Sequence, residues 1–293
     1  MHYTRVKGIL SAKNGMNLYR GCSHGCIYCD SRSKCYQMNH DFEDIEVKEN
    51  AVELLEKILK HKRKKCMIET GAMTDPYIPL EQELGYMRKC LELIDTYGFG
   101  INILTKSDRI LRDLDLLIRI HKKTKCVVQM TMTTHDEELC QIIEPNVCTT
   151  KRRHEVLKVM QEYGIPTVVW MTPILPFIND TEENLNGILD YCVDAGVRGI
   201  MSFGIGMTLR EGNREYFYKN LERSFPGIKE KYLAAYGNKY QIPCPNSGEL
   251  TGLLRKRCKE TGMMSNENEI FQYLSQFEEK QKAEQIHLFD FVQ

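Results

Sequence analysis

The stretch NLYRGCSHGCIYCDSRSKC, residues 17–35, decides how the chain is read. It carries Cys22, Cys26, Cys29 and Cys35, four of the chain's twelve cysteines. Cys22, Cys26 and Cys29 have the spacing C-x3-C-x2-C, and Gly21 and Gly25 precede the first two. Glycine permits the tight turns that aim several thiolates at one point. Thiolates so grouped are the ligands of iron–sulfur clusters, usually four per [4Fe–4S] unit. Three cysteines would leave one iron without a protein ligand, and an open metal position is where a small molecule binds. Two other readings stand beside this one. Cys26, Cys29 and Cys35 with Cys22 or His24 would make a structural zinc site on an interaction module, although no second C-x2-C follows. A cluster without further chemistry would make an electron carrier or redox sensor. Plain packing does not suit GCSHGC, which is too polar and too rich in glycine. Cys35 is read as a bystander.

The rest of the chain frames this loop. At 293 residues it is long enough for a large core, and α/β barrels of this size are single units. Lys plus Arg and Asp plus Glu are both 40, so no global field draws the chain to nucleic acid or anionic lipid. Basic runs at 60–65, 151–153 and 253–259 read as solvated helix faces or ends. The start MHYTRVKGIL has no signal-peptide pattern, and no apolar run is long enough to span a membrane. A cytoplasmic protein with no membrane association is expected, with reduced thiols. The eight scattered cysteines read mostly as small apolar core residues.

Beyond the loop, short apolar runs alternate with helical patterns. MNLYR (16–20) is a candidate first strand, with 49–61 as its crossover helix. CMIETG (66–71), GINILT (100–105), CVVQMTMTT (126–134), IPTVVWMTP (165–173) and RGIMSFG (198–204) are the next five strands. Helices are expected over 81–97, 107–123, 151–163, 181–195 and 212–223, with apolar residues such as Ile110, Leu114, Leu117 and Ile118 at helical spacing. Strands this apolar suit a parallel sheet covered on both faces. The expected fold is an α/β partial or full (β/α) barrel of about six parallel strands with a mostly helical C-terminal extension. Residues 1–225 would form the barrel and 226–293 the extension and tail. In such folds chemistry sits at the C-terminal ends of the strands.

With Tyr28 at the penultimate position of the cysteine motif, the loop resembles that of the radical S-adenosylmethionine (SAM) superfamily. Further segments resemble its spore photoproduct lyase-like branch, often labelled DNA repair photolyases. They are TGAMTDPYIPLE (70–81), ILTKSDRILRDLDLL (103–117), IIEPNVCTTKRRHEVLKVMQEYGIP (142–166) and TPILPFIND (172–180). The resemblance covers roughly residues 10–205, with its blocks in order. It implies a [4Fe–4S] cluster on Cys22, Cys26 and Cys29 whose open iron chelates SAM. It implies reductive cleavage of SAM to a 5′-deoxyadenosyl radical, which abstracts hydrogen from substrate. Tyr28 would face the adenine, Gly71 and Thr74 the SAM amino group, and Lys106 the SAM carboxylate. Thr131 matches a small hydroxyl residue of the branch, and Glu144 with Arg153 would form an ion pair that fixes a loop. The resemblance also implies an electron donor such as flavodoxin or ferredoxin, and it makes nucleic acid a candidate substrate. In the lyase itself a cysteine at the end of the second strand returns a hydrogen atom to the substrate radical; the matching residue here is Ala72. Asp30 replaces the branch's usual aromatic. Finally, QIHLF at 285–289, from Gln285 to Phe289, resembles the pentapeptide by which bacterial repair proteins bind the sliding clamp.

Overall fold

A computed structural model describes residues 1–280. Six strands form one all-parallel sheet: β1 (Gly15–Met16), β2 (Met67–Thr70), β3 (Gly100–Thr105), β4 (Cys126–Thr131), β5 (Thr167–Trp170) and β6 (Gly199–Met201). Each strand pairs with the next one in the chain, and β1 and β6 are edges rather than partners. The barrel is therefore partial. Every residue of β4, CVVQMT, is buried, as expected for a parallel strand covered on both faces.

Helices Ala51–His61, Tyr86–Tyr97, Leu114–Lys123, Thr150–Glu162 and Glu182–Asp194 connect successive strands. Each buries one stripe. In Leu114–Lys123 that stripe is Leu116, Leu117 and Ile120, and its last turn carries His121, Lys122 and Lys123, which suit the negative end of the helix dipole.

Three local expectations change. MNLYR does not form one strand. Gly15–Met16 joins the main sheet, whereas Tyr19–Arg20 pairs antiparallel with Glu46–Lys48 in a second sheet that also holds His2–Thr4. Lys48 draws the chain across between them, its amide on the Leu18 carbonyl and its ammonium on the Asn17 carbonyl. The segment 81–97 breaks at Gly85, in the left-handed region at φ +63°. The buried Glu81 carboxylate then accepts from the Met87 amide and caps the second piece. Ahead of Leu114, residues Asp108–Asp113 form a 3-10 turn in which the Ser107 hydroxyl accepts from the Arg109 amide.

The chain after β6 packs back onto the sheet. Gly206–Thr208 pairs antiparallel with Gln241–Pro243, and helices Ser247–Thr261 and Glu267–Ser275 follow. Ile270 and Leu274 pack with Val127, Val168 and Met201, while Lys125 holds the Tyr273 carbonyl and the Glu278 carboxylate. Among the described residues no helix is long and apolar enough to cross a membrane.

Candidate active site

A cavity of about 1120 Å³ opens at the C-terminal ends of the strands. Its inner wall is the cysteine loop (Cys22, His24, Cys26, Tyr28 and Cys29) with Gly71, Ala72, Met73 and Asp75 after β2, Lys106 after β3, and Thr131 ending β4. Its outer wall is Trp170 and Phe203 with Arg210, Tyr240 and Arg255.

Two hubs build the inner wall, one fully buried and one at the cavity surface. Arg153, fully buried, donates to the carbonyls of Lys106 (3.1 Å), Thr131 (2.9 Å) and Cys148 (2.7 Å), and its guanidinium lies 2.5 Å from Glu144. One side chain from a crossover helix thus ties the ends of β3 and β4 together. Glu144, also fully buried, accepts in turn from the Tyr28 hydroxyl, which fixes that ring. Burial pushes the Glu144 carboxyl upward, and Arg153 opposes the shift. The ion pair expected of Glu144 and Arg153 is present, and its reach extends to the tyrosine and to two strand ends. The second hub is Asp75. It accepts from the Thr105 hydroxyl, the Lys106 amide and the Tyr77 amide, each at 2.8 Å.

Four of the residues implied as SAM contacts line the cavity: Tyr28, Gly71, Lys106 and Thr131. Thr74 is buried and does not line it, although its neighbours Met73 and Asp75 do. Gly71 adopts φ +101°, and a Cβ there would sit 1.8 Å from the Leu104 carbonyl oxygen. Its close approach is to the neighbouring strand, a constraint that holds whatever fills the cavity. The Lys106 ammonium lies 5.8 Å from the centroid of the Tyr28 ring and makes no ion pair among the described residues.

The three motif cysteines share this wall, while Cys35 is exposed near Arg210 and does not line the cavity. Burial pushes the Cys22 thiol up to about 12, with Asp75 adding to the shift. Burial likewise raises Cys26, against the pull of Lys106. Without a metal these thiols keep their protons, and metal binding must release them. Four sulfurs around one zinc at about 2.3 Å lie roughly 3.8 Å from one another. Among the described residues, His2, His40 and Asp44 are the one group of metal-ligating side chains with ligand atoms all within 4.8 Å of each other; the cysteines do not meet that limit. The three thiols line one wall without closing on a single point, and a set of three cysteines there fits a [4Fe–4S] cluster with one iron left open.

Several site residues carried no clear signal in the sequence. His24, weighed only as a zinc ligand, is buried with Nδ1 3.5 Å from Asp75, and its Nε2 has no hydrogen-bond partner among the described residues. Burial lowers its pKa, and Asp75 partly offsets this. Asp75 lies within the block 70–81, yet only the fold reveals that it ties the turn after β2 to the end of β3. Trp170 and Phe203, with ring centroids 5.3 Å apart, and Arg210, bonded to the Tyr240 hydroxyl at 2.7 Å, come from segments far apart in the chain.

Three motif cysteines at the mouth of a partial parallel barrel, beside a lysine with no ion pair among the described residues, make a candidate iron–sulfur site. The chain belongs to the radical SAM superfamily, whose family model matches residues 16–192. It is a radical SAM enzyme that uses a [4Fe–4S] cluster and SAM. An uncharacterized protein of Methanocaldococcus jannaschii is 33% identical over 181 residues, 61% of this chain and 66% of that protein. One of Mycobacterium tuberculosis is 28% identical over 234 residues, 78% of this chain and 68% of that protein. Among solved structures, a spore photoproduct lyase variant with bound AdoMet and dinucleoside spore photoproduct superposes with TM-score 0.61 at 14% identity, covering 85% of this chain and 74% of the lyase. A radical SAM methyltransferase from Kitasatospora setae gives TM-score 0.53 at 13% identity, covering 83% and 49%. The fold is thus that of spore photoproduct lyase.

Proposed function

We propose that Cys22, Cys26 and Cys29 hold the cluster, that Tyr28, Gly71, Lys106 and Thr131 line the SAM site, and that the substrate is a nucleic acid. Bound together, the reduced cluster and SAM supply a 5′-deoxyadenosyl radical able to take a hydrogen atom from substrate. The chain's own part is positioning. Lys106 offers an unpaired ammonium suited to a carboxylate. Tyr28, held by its hydroxyl on Glu144, presents a fixed ring for a planar base. Thr74 is buried between Met73 and Asp75, which line the cavity. Trp170 and Phe203 form an apolar shoulder on the outer side of the cavity.

The observation that carries the substrate class is the outer wall. Arg210 and Arg255 stand among Tyr36, Trp170, Phe203 and Tyr240 around one opening. Cations interleaved with aromatic faces suit a phosphate backbone with splayed bases. The dinucleoside photoproduct bound by the lyase of like fold points to the same class. Ala72 offers no thiol hydrogen, so a product radical here would be quenched by some other donor. The twelve free thiols suit a reducing, cytoplasmic setting with a flavodoxin or ferredoxin as electron source. The candidate clamp peptide at 285–289 lies outside the described residues, and clamp binding stays a proposal resting on the sequence alone.

Fluorescence anisotropy with single-stranded and duplex oligonucleotides tests the substrate class. Binding to a single strand that weakens with salt and falls in Arg255→Ala is expected. Absence of binding at low salt for both forms would refute it.

A further inference from the structure

Away from the cavity, His2, His40, Asp44 and Glu46 form a compact group at the edge of the small sheet. Ligand atoms of His2, His40 and Asp44 all lie within 4.8 Å of one another. The two imidazoles meet edge to face with centroids 4.7 Å apart. His2 sits between two carboxylates, its Nδ1 2.9 Å from Asp44 and its Nε2 3.8 Å from Glu46. Glu46 Oε2 is also 3.9 Å from His40 Nε2.

Tautomers make this group unusual. His40 Nδ1 lies 3.0 Å from the Asp41 carbonyl oxygen, which can only accept, so Nδ1 carries the proton. A neutral ring then presents a lone pair at Nε2. That atom is buried, has no hydrogen-bond partner among the described residues, and faces the Glu46 carboxylate. His2 has the same conflict, since a neutral imidazole has one N–H and stands between two acceptors. The second Asp44 oxygen takes the Met1 amino group at 2.8 Å, and no lysine or arginine among the described residues pairs with Glu46. Several lone pairs therefore converge with too few donors among them. A divalent cation relieves the conflict.

We infer that His2 through Nδ1, His40 through Nε2 and Asp44 bind a zinc ion, with Glu46 as the outer partner of the far His2 nitrogen. Imidazole and carboxylate ligands suit zinc, and donors 2.0–2.1 Å from the metal lie roughly 3.3 Å apart, within the range of separations seen here. The carbonyl that fixes the His40 tautomer is the kind of outer partner that orients a metal-binding histidine. Register explains how the group assembles: His2 and Glu46 are directly paired on neighbouring parallel strands, and His40 and Asp44 lie on the loop leading into the second strand. The same loop supports the cluster, because the Phe42 carbonyl accepts from the Cys22 amide at 3.1 Å. Zinc here would pin the loop that holds the first cluster cysteine.

The test is elemental analysis of the anaerobically reconstituted full chain after exposure to Zn²⁺ and desalting, with Co²⁺ as a spectroscopic substitute. One zinc per chain beyond the cluster iron is expected, with cobalt bands free of a thiolate charge-transfer component. His40→Ala and His2→Gln should each weaken zinc binding at least about tenfold. The half-exposed His2 guards against misfolding, and circular dichroism checks both variants. Zinc retention unchanged by either substitution, a thiolate band in the cobalt spectrum, or no retained metal in the wild type would overturn the inference.

Discussion

The inner and outer walls of the cavity are built on different physical terms. The inner wall is fixed by charged groups with little exposure: Arg153 bonds three backbone segments, Asp75 ties the turn after β2 to the end of β3, and Glu144 clamps Tyr28. The outer wall is made of more exposed side chains, with Phe203 49% exposed and Arg255 on the surface, and most of it falls beyond the residues matched by the superfamily. The first arrangement cannot change without leaving a buried charge uncompensated. The second can change one side chain at a time. Such a division lets one scaffold keep its cofactor chemistry while its substrate varies.

The sharpest way to break the comparison is at the cluster. Cys26→Ala should abolish the iron–sulfur absorption of reconstituted protein and all SAM cleavage, because an incomplete ligand set cannot hold the cluster. Next comes the buried ion pair. Arg153→Met leaves Glu144 without its cation and should cost about 3–5 kcal/mol in a denaturant titration. A loss under 1 kcal/mol would mean that the inner wall is not held as described. Gly71→Ala forces a Cβ against the Leu104 carbonyl at positive φ and should cost on the order of 1–3 kcal/mol, read in the same way. Lys106→Met should weaken SAM binding by about 10- to 100-fold in calorimetry, the worth of one hydrogen bond from a charged donor, with a smaller effect on stability. At the outer wall, Arg255→Ala should change stability by no more than about 0.5 kcal/mol, and its effect should be confined to the oligonucleotide.

The two walls also differ in how far the sequence reveals them. The cysteine spacing and the alternation of apolar runs with helical stripes are local patterns, and they predict the six strands, their order and the cluster ligands. Glu144 and Arg153 were legible as a pair through the resemblance of the block 142–166 to the lyase-like branch. What stayed hidden depends on distant segments meeting. Asp75 is ordinary in sequence and becomes a hub only where β2 and β3 end side by side. Arg210 and Tyr240 meet because the strand pair Gly206–Thr208 and Gln241–Pro243 brings them together. The split of MNLYR between two sheets is of the same kind, since Lys48 makes it from thirty residues away. The placement of Thr74 off the cavity lining was hidden for a different reason: a turn of irregular backbone decides which side chains face the cavity, and no periodicity applies there.

One measurement tests the division most directly. 5′-Deoxyadenosine formed from SAM under reductant can be followed in the reconstituted wild type and in Arg255→Ala, with and without a single-stranded oligonucleotide. The two proteins should form it at the same basal rate, and the oligonucleotide should stimulate the wild type more than the variant. A basal rate that falls with Arg255, or an oligonucleotide without effect on the wild type, would contradict the account.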